Sequence, residues 1–586
     1  MNGSQYIVTS VLLLIVILLY SKKFPPPVVF LIAGTVLVST GIISAAEVLV
    51  GFSNDAIAVM LMLLVISQVI WRTGFIQWIF ESVLKPSSSY RKFLAQMMPF
   101  VGGSSAFMNN TPVVAMMIPF ITDWGQRHNV PASKLLMPLS WAAILGGMIT
   151  LIGTSTNMIV NSLVVSIGAK ELSILDFTPV GLMIFVGGMG YVLLIGNRYL
   201  PSRKSPSERF TESPREYVAN LVVRPKSDLV GKSIAEANLR KLKDLFLAEI
   251  IRKNTVIAPV TPLEVLEAGD QLVLVGKVSA VADLVSEFKG LAFDKLSIRS
   301  EKLEVIKLVV ASRSALIGKK VKETHFRGKY DAAILAVHRH GKHQEGKIGD
   351  MKLQSGDLLL IVGGNDFSKS SVSSDFYVIS KIKQIHNFDL KKSVSIITSV
   401  FLCIMLSIFN VVPLFNSLFV LITGFLVTGI LTASELKKMI NINLLVVAAF
   451  ALAVGRAVQI TGLGEMLANF VVGWFEPFGP IGILAAVYLT TNILAELVTT
   501  TAAATIVFPF AAASAFALGV DGTPFYLAVA YGAAANFITP VGYQTNLMIF
   551  GPGGYRMIDY FKAGLPLKVI CAVIAIIGLS VTYGLL

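Results

Sequence analysis

Apolar residues along this chain gather in long uninterrupted runs, at 6–20, 28–38, 57–70, 180–195, 394–409 and 569–579, each flanked by polar residues. Such runs predict membrane-spanning helices. The first lacks a basic leading segment and a small-residue cleavage site, so a span is expected there rather than a removable signal peptide. Between 201 and 392 no run reaches membrane length, which predicts a water-soluble insert between two membrane halves. Polar stretches interrupt each half. Residues 104–112 and 496–501 sit between flanks too short to span twice, and predict re-entrant hairpins with tips near mid-membrane. Residues 153–157 and 539–546 break an otherwise apolar span, the second with Pro540, which has no backbone donor. Irregular backbone at that depth is tolerated only where it lines a cavity or is buried in protein. Its free N–H groups suit anions and its free carbonyls suit cations. The alternative is that these polar side chains only bond across helices to hold a bundle together.

Composition sharpens the class. The 586 residues are 54% hydrophobic and 14% charged, with mean hydropathy +0.73, where a soluble chain carries about a quarter charged residues. Cys403 and Cys571 both fall in apolar stretches, so neither a disulfide framework nor a metal cluster is expected. Residues 201–392 hold 33 of the Lys and Arg, 23 of the Asp and Glu, and five of the six histidines. Those cations are scattered without aromatic interleaving, which argues against nucleic acid and fits a cytoplasmic face. With the N-terminus outside and five spans per half, Lys22, Lys23, Arg72, Lys85, Arg91, Lys92, Arg127, Lys134 and Arg198 fall inside. The insert follows on that side, Lys437, Lys438, Arg556, Lys562 and Lys568 fall inside in the second half, and the C-terminus ends outside. An odd number of spans per half makes the halves enter a cell membrane in opposite directions.

The halves are related in sequence. Residues 41–47 (GIISAAE) match 429–435 (GILTASE) at an offset of 388, and Thr73-Gly74 matches Thr461-Gly462 at the same offset. Asn109-Asn110-Thr111 with Pro119-Phe120 matches Thr499-Thr500-Thr501 with Pro509-Phe510, offset 390. Gly153-Thr154-Ser155-Thr156-Asn157 matches Gly542-Tyr543-Gln544-Thr545-Asn546, offset 389. Inverted repeats with a site at their interface are a recurring design of secondary transporters. The expected fold is therefore an α-helical polytopic membrane protein with two inverted repeats, 1–200 and 390–586, each of about five spans and a re-entrant hairpin.

Residues 105–119 (SAFMNNTPVVAMMIP) and 495–509 (AELVTTTAAATIVFP), with the two broken segments, resemble the divalent anion:sodium symporters of the ion transporter superfamily. That signature is a Ser-Asn-Thr tip in each hairpin followed by an unwound Gly-Thr-x-Pro-Asn or Ala-Thr-Pro-Pro-Asn. The resemblance covers both membrane halves and implies two sodium ions with one anion between them. By position, the first sodium would use Ser105, Asn109, Asn110 and the backbone of Gly153; the second would use Ala495, Val498, Thr500 and Gly542. The anion would meet Asn110, Thr111, Thr154, Thr500, Thr501, Tyr543 and Gln544. The departures bear on the substrate. Asn109 replaces the tip Ser, the second tip is Thr-Thr-Thr, and both unwound segments lack the family's Pro. Dicarboxylate members use a tip Asn in each half, whereas small hydroxyls around a compact cavity suit a tetrahedral oxyanion such as sulfate. The frames contain no Lys or Arg, so co-bound sodium and helix dipoles would neutralise the anion.

Glu496 is an acidic residue at membrane depth, expected to brace the hairpin, with proton coupling as the alternative and Arg456 as a candidate partner. The insert is itself duplicated: Gly231-Lys232, Gly269-Asp270 and Gly276 recur 87 residues later as Gly318-Lys319, Gly356-Asp357 and Gly363. Its α/β pattern, over 205–290 and 300–380, looks like a tandem of TrkA-C (RCK C-terminal) domains. That resemblance implies dimer contacts and a small regulatory ligand; an inert spacer is the alternative. Residues 338–343 (HRHGKH) read as a hairpin tip rather than a metal site. The expected function is sodium-coupled symport of a small divalent anion, sulfate favoured, by a homodimer and without enzymatic activity. A dicarboxylate symporter, a sodium/proton antiporter and, behind them, a potassium channel component are the alternatives. No TVGYG-like filter supports the last.

Overall fold

The computed structural model describes residues 1–21, 23–75, 78–79, 89–203, 218–239, 245–253, 255–257, 260–276, 288, 291–293, 305–311, 314–324, 326–330, 332–339, 342–344, 348–363, 375–378, 390–409, 411–467, 473, 476–540 and 542–585. Lys22 and Lys85, expected on the inner face, and His340 of the histidine-rich stretch lie outside them.

The first half contributes α1 (Gly3–Ser21), α2 (Pro26–Ser39), α3 (Ala45–Val50), α4 (Asp55–Arg72), α5 (Tyr90–Phe107), α6 (Asn110–Arg127), α7 (Ser133–Gly147), α8 (Ser155–Ser166) and α9 (Thr178–Leu194). After the insert, which holds the short α10 (Phe326–Tyr330), come α11 (Leu390–Ile408), α12 (Leu414–Val427), α13 (Ala433–Met439) and α14 (Ile442–Ile460). The second half continues with α15 (Gly479–Leu497), α16 (Thr500–Leu518), α17 (Thr523–Ala534), α18 (Gln544–Phe550) and α19 (Met557–Thr582). Among the described residues, six helices are long and apolar enough to cross a membrane: α1, α11, α14, α15, α16 and α19. A seventh candidate is the pair Ala45–Ser53 and Asp55–Ile70, bent by 40°, and α2, α9 and α12 are shorter apolar helices. Among the described residues fewer full-length spans are found than the five per half expected, in part because α2, α9 and α12 are apolar but shorter than 18 residues.

Positions paired across the offset of 388 adopt the same local structure. Ser44 and Glu47 form a capping box at α3, as Thr432 and Glu435 do at α13. Gly41 and Gly429 both sit at φ 71°, a left-handed conformation that glycine adopts without steric cost. Each capping glutamate also reaches the other half. Glu47 accepts from Arg456 of α14 at 3.4 Å, and Glu435 accepts from Arg72 of α4 at 2.7 Å. Small residues let backbones touch: a Cβ on Gly146 of α7 would overlap the backbone of Gly102 in α5.

The insert forms two five-stranded antiparallel sheets. The first has β1 (Val218–Val223), β2 (Leu245–Arg252), β3 (Thr255–Ile257), β4 (Gln271–Gly276) and β5 (Leu291–Phe293), in the order β3-β2-β4-β1-β5. The second has β6 (Val305–Val310), β7 (Ala332–Arg339), β8 (Lys342–His343), β9 (Leu358–Gly363) and β10 (Phe376–Val378), in the order β10-β6-β9-β7-β8. Matching details recur: a bulge at Leu247/Glu249 and at Ile334/Ala336, and an isolated bridge at Ser233–Val265 and at Lys320–Lys352. The histidine-rich stretch is a strand pair, His338 opposite His343 and Arg339 opposite Lys342. The turn at Gly356 rests against Leu547 of α18, and Leu358 joins the apolar core of the membrane helices.

The two sheets share a matched arginine–aspartate clamp. Arg252 grips Asp270 from Nε at 2.8 Å and from Nη2 at 2.9 Å; Arg339 grips Asp357 at 2.8 and 2.7 Å. Asp357 is 1% exposed. Removing one partner of a buried pair leaves an uncompensated charge and costs roughly 3–5 kcal/mol. Arg339→Ala is therefore expected to open the second sheet selectively, seen as early proteolytic cleavage within the insert while the membrane helices stay protected.

Candidate functional site

Three of the four polar breaks cap the helix that follows; at α18, Tyr543 makes no side-chain cap. Asn109 precedes α6 and its Oδ1 accepts from the Thr111 amide at 3.1 Å. Thr154 precedes α8 and accepts from the Thr156 amide at 3.4 Å. Thr499 precedes α16 and accepts from the Ala502 amide at 3.2 Å. Three helix N-termini thus carry short polar side chains in place of a continued apolar helix.

Hydrogen bonds then join the breaks to one another. Asn110, 3% exposed, donates from Nδ2 to the Tyr543 hydroxyl at 2.7 Å. Tyr543 donates to Thr154 Oγ1 at 3.4 Å, and Thr156 donates to Thr500 Oγ1 at 3.0 Å. Residues more than 340 positions apart therefore share one polar cluster. Of the residues expected around the anion, Asn110, Thr154, Thr500 and Tyr543 are brought together here. Thr111 and Thr501 follow in the first turns of α6 and α16, and Gln544 opens α18.

Beside the donors lies a set of oxygens with nothing to accept from. Ser105 Oγ, Asn110 Oδ1 and Asn157 Oδ1 are buried without a hydrogen-bond partner. Asn157 Nδ2 donates to the carbonyls of Gly147 at 3.2 Å and Thr150 at 2.9 Å. Asn110 packs on Gly147 so closely that a Cβ there would come within 2.9 Å of its amide. Thr150 in turn donates to the carbonyl of Ala106, next to Ser105, and Gly153 lies against the Gly147 backbone. Buried acceptors are rarely left unsatisfied, and a hydroxyl with two amide oxygens is a hard, neutral set suited to an alkali cation. Asn109, expected in this set, is spent on its cap.

At the second break the charge differs. Glu496, 8% exposed, accepts from the amides of Phe537 and Ile538, both at 3.2 Å, and from Thr539 Oγ1 at 2.7 Å. A Cβ on Gly542 would lie 3.1 Å from Glu496 Oε2, so Gly542 is part of this cluster, while Ala495 is fully buried and Val498 ends α15. Arg456 is not the partner of Glu496: it pairs with Glu47 and donates to Gln459 at 3.0 Å. The cation at Glu496 is Lys568 of α19, at 3.5 Å. The Lys568 side chain is largely enclosed by the helix packing, 12% exposed, part-way along the single 26-residue helix α19.

Sequence reasoning also passed over Thr156, Asn157, Asn492, Asn536 and Asn546 as site residues. Asn157 and Asn546 had a usable signal, since each ends a matched broken segment. Asn546 uses its Nδ2 in the second half as Asn157 does in the first, donating to the Asn536 carbonyl at 2.8 Å and to that of Thr539 at 3.5 Å, but unlike Asn157 its Oδ1 is satisfied, accepting from Ser140 at 2.8 Å. Asn546→Ala deletes all three bonds at a fully buried position. At about 1 kcal/mol each, and more where a carbonyl is left bare, the melting temperature in detergent should fall by several degrees, and Asn546→Asp, which sets an acceptor-only carboxylate oxygen against the same two carbonyls, should fall at least as far.

The citrate transporter (CitMHS) family profile matches residues 15–532. The chain is 32% identical to the "Putative sulfur deprivation response regulator" of Chlamydomonas reinhardtii, over 93% of this chain and 96% of that one. It is 30% identical to uncharacterized transporter sll0640 of Synechocystis, over 94% and 93%. It is 23% identical to sodium/sulfate cotransporter 1 of Chlamydomonas reinhardtii, over 91% and 84%. With apolar helices of spanning length and a family match across most of its length, this multi-pass membrane protein belongs to the CitMHS citrate transporter family and is a transporter, not an enzyme.

Proposed function

We propose that this chain is a sodium-coupled symporter of a small divalent oxyanion, with sulfate as the favoured substrate. The observation that carries the reading is the adjacency, at Asn110, of orphaned oxygens and spare hydroxyl donors. Asn110 leaves its Oδ1 without a partner, as Ser105 and Asn157 leave their side-chain oxygens, and gives its Nδ2 to the Tyr543 hydroxyl. A sodium on one side of this side chain and an anion on the other would each strengthen the binding of its neighbour, which is the basis of coupling. Thr500 accepts from Thr156, and Thr154 accepts from Tyr543, so the hydroxyl protons of Thr500 and Thr154 are left to be donated elsewhere. The N-termini of α6, α8 and α16 add partial positive charge without a cationic side chain.

The two halves are inverted repeats in this reading, their hairpins α5–α6 and α15–α16 entering from opposite faces. The insert is a pair of TrkA-C-like cytoplasmic domains that supports a homodimer and responds to a small ligand. Its route to the site is short: the Gly356 turn presses on Leu547 in α18, a seven-residue helix directly after Tyr543. A dicarboxylate or citrate substrate is the second reading, favoured by the description of the family.

Uptake of radiolabelled sulfate, citrate and succinate into proteoliposomes, with and without a sodium gradient, separates these readings. Sodium-driven sulfate uptake is expected, and sodium-driven citrate or succinate uptake in its place would make the second reading correct. Thr500→Val keeps shape and deletes a donor to a charged ligand, a loss of about 1.5–3 kcal/mol, or roughly ten- to hundredfold in sulfate affinity. Unchanged sulfate affinity in Thr500→Val would place the anion elsewhere. Leu547→Ala should alter the rate of uptake without altering the affinity for sulfate, since it touches the insert and not the donors.

A further inference from the structure

The two halves treat their cation clusters differently, and the difference rests on one lysine. In the first half the cluster of Ser105, Asn110 and Asn157 is neutral, and position 106, matched to Glu496 at the offset of 390, is alanine. In the second half the corresponding place holds a carboxylate with its own counter-charge. Lys568 Nζ lies 3.5 Å from Glu496 Oε1, and the two side chains are 12% and 5% exposed. An ion pair this deep among membrane helices is costly to assemble and marks a functional position.

The oxygens around this pair resemble a second cation site. Asn492 sits one helical turn before Glu496 on α15, and Asn536 lies beside Gly542 and the Glu496 carboxylate. Asn492 Nδ2 donates to the carbonyls of Gly532 and Ala535, at 2.8 and 2.9 Å; Asn536 Nδ2 donates to those of Ala533 and Gly542, at 3.1 and 3.3 Å. The Oδ1 atoms of both lack a partner. A carboxylate, two free amide oxygens and the Thr539 hydroxyl make a richer oxygen set than the first cluster. The positive charge that such a set calls for is already supplied by the chain.

We infer that Lys568 is a resident cation that takes the place of the second sodium at Glu496, so that each turnover carries one sodium, bound at Ser105, Asn110 and Asn157. The inference rests on the sodium-symport reading for its consequence, but the competition between ammonium and sodium at Glu496 can be measured apart from it. A covalently held ammonium cannot leave with the substrate. It satisfies Glu496 in every state of the cycle and removes one coupled charge from the stoichiometry.

The test uses the full chain in proteoliposomes, with dual-isotope flux giving the ratio of sodium to anion, and sodium-dependent thermal stabilisation in detergent as a second readout. The parent and Lys568→Arg should move one sodium per anion. Lys568→Ser bares the carboxylate and opens space, so its ratio should rise to two and its sodium stabilisation should increase. The neutral double variant Glu496→Gln/Lys568→Met should return to one. A parent ratio of two, or a Lys568→Ser protein that transports at the parent ratio with unchanged sodium stabilisation, overturns the inference. Should Lys568→Ser not fold, the parent and the double variant decide: a ratio of one in both supports it, and a parent ratio above that of the double variant overturns it. Anion uptake indifferent to sodium in the parent defeats the symport reading instead. A gain of sodium stabilisation in Lys568→Ser would even then uphold the competition at Glu496, and its absence would overturn it.

Discussion

Backbone that leaves its helix inside an apolar layer has no water to turn to, and every freed N–H and C=O must be met by the protein itself. The arrangement around the two broken segments follows from that demand. In the first half Asn157 reaches back to the carbonyls of Gly147 and Thr150, and Thr150 reaches across to Ala106. In the second, Asn546 takes the carbonyls of Asn536 and Thr539, and Glu496 takes the amides of Phe537 and Ile538. Side chains recruited for this purpose spend their N–H groups on carbonyls. Their oxygens are then left buried without a partner, as those of Asn157, Asn492 and Asn536 are. A set of buried oxygens without donors is the by-product of repairing broken helices, and it is also what a dehydrated cation needs.

The same constraint explains why the polar breaks carry hydroxyls and helix ends rather than cations. A free lysine or arginine at the tips would have to be compensated in the empty state, as Lys568 is by Glu496. A threonine at a helix N-terminus needs no such compensation: Thr154 and Thr499 cap their helices while Thr500 and Thr156 bond to each other. Donors of this kind can be exposed and covered again at little cost, which suits a site that must work both filled and empty.

Much of this was legible in the residues. The hairpin tips, the broken segments and the repeat offsets all sit at positions where polarity is out of place in an apolar stretch, and polarity is what a sequence displays directly. The capping boxes at Ser44 and Thr432 follow from adjacent residues and were visible as a matched pair. Partnership was not legible. Arg456 and Lys568 are both cations within apolar helices, and choosing which one meets Glu496 depends on how α14 and α19 are placed around α15. The positive-inside count uses a lysine's sign alone and carries no information on its partner; in the structure Lys568 lies within α19 rather than at its end. The roles of Asn492 and Asn536 were hidden for a related reason, since a buried amide reads as neutral filler until the fate of both its atoms is known.

The insert raises a question of leverage rather than of identity. Its second sheet meets the membrane helices through a glycine turn, Gly356 at φ 81°, whose carbonyl faces Gly551 and whose Cα faces Leu547. Glycine at both sides of the contact lets backbone approach backbone, so a shift of the turn is passed on with little slack. The next residue, Asp357, is clamped by Arg339, which ties the turn to β7 and so to the rest of the sheet. Helix α18 is too short to absorb a displacement by bending: at 1.5 Å per residue, seven residues span about 10 Å. Leu547 in turn bonds back to the start of that helix, its N–H donating to the Tyr543 carbonyl at 3.1 Å, and the Tyr543 hydroxyl accepts from Asn110.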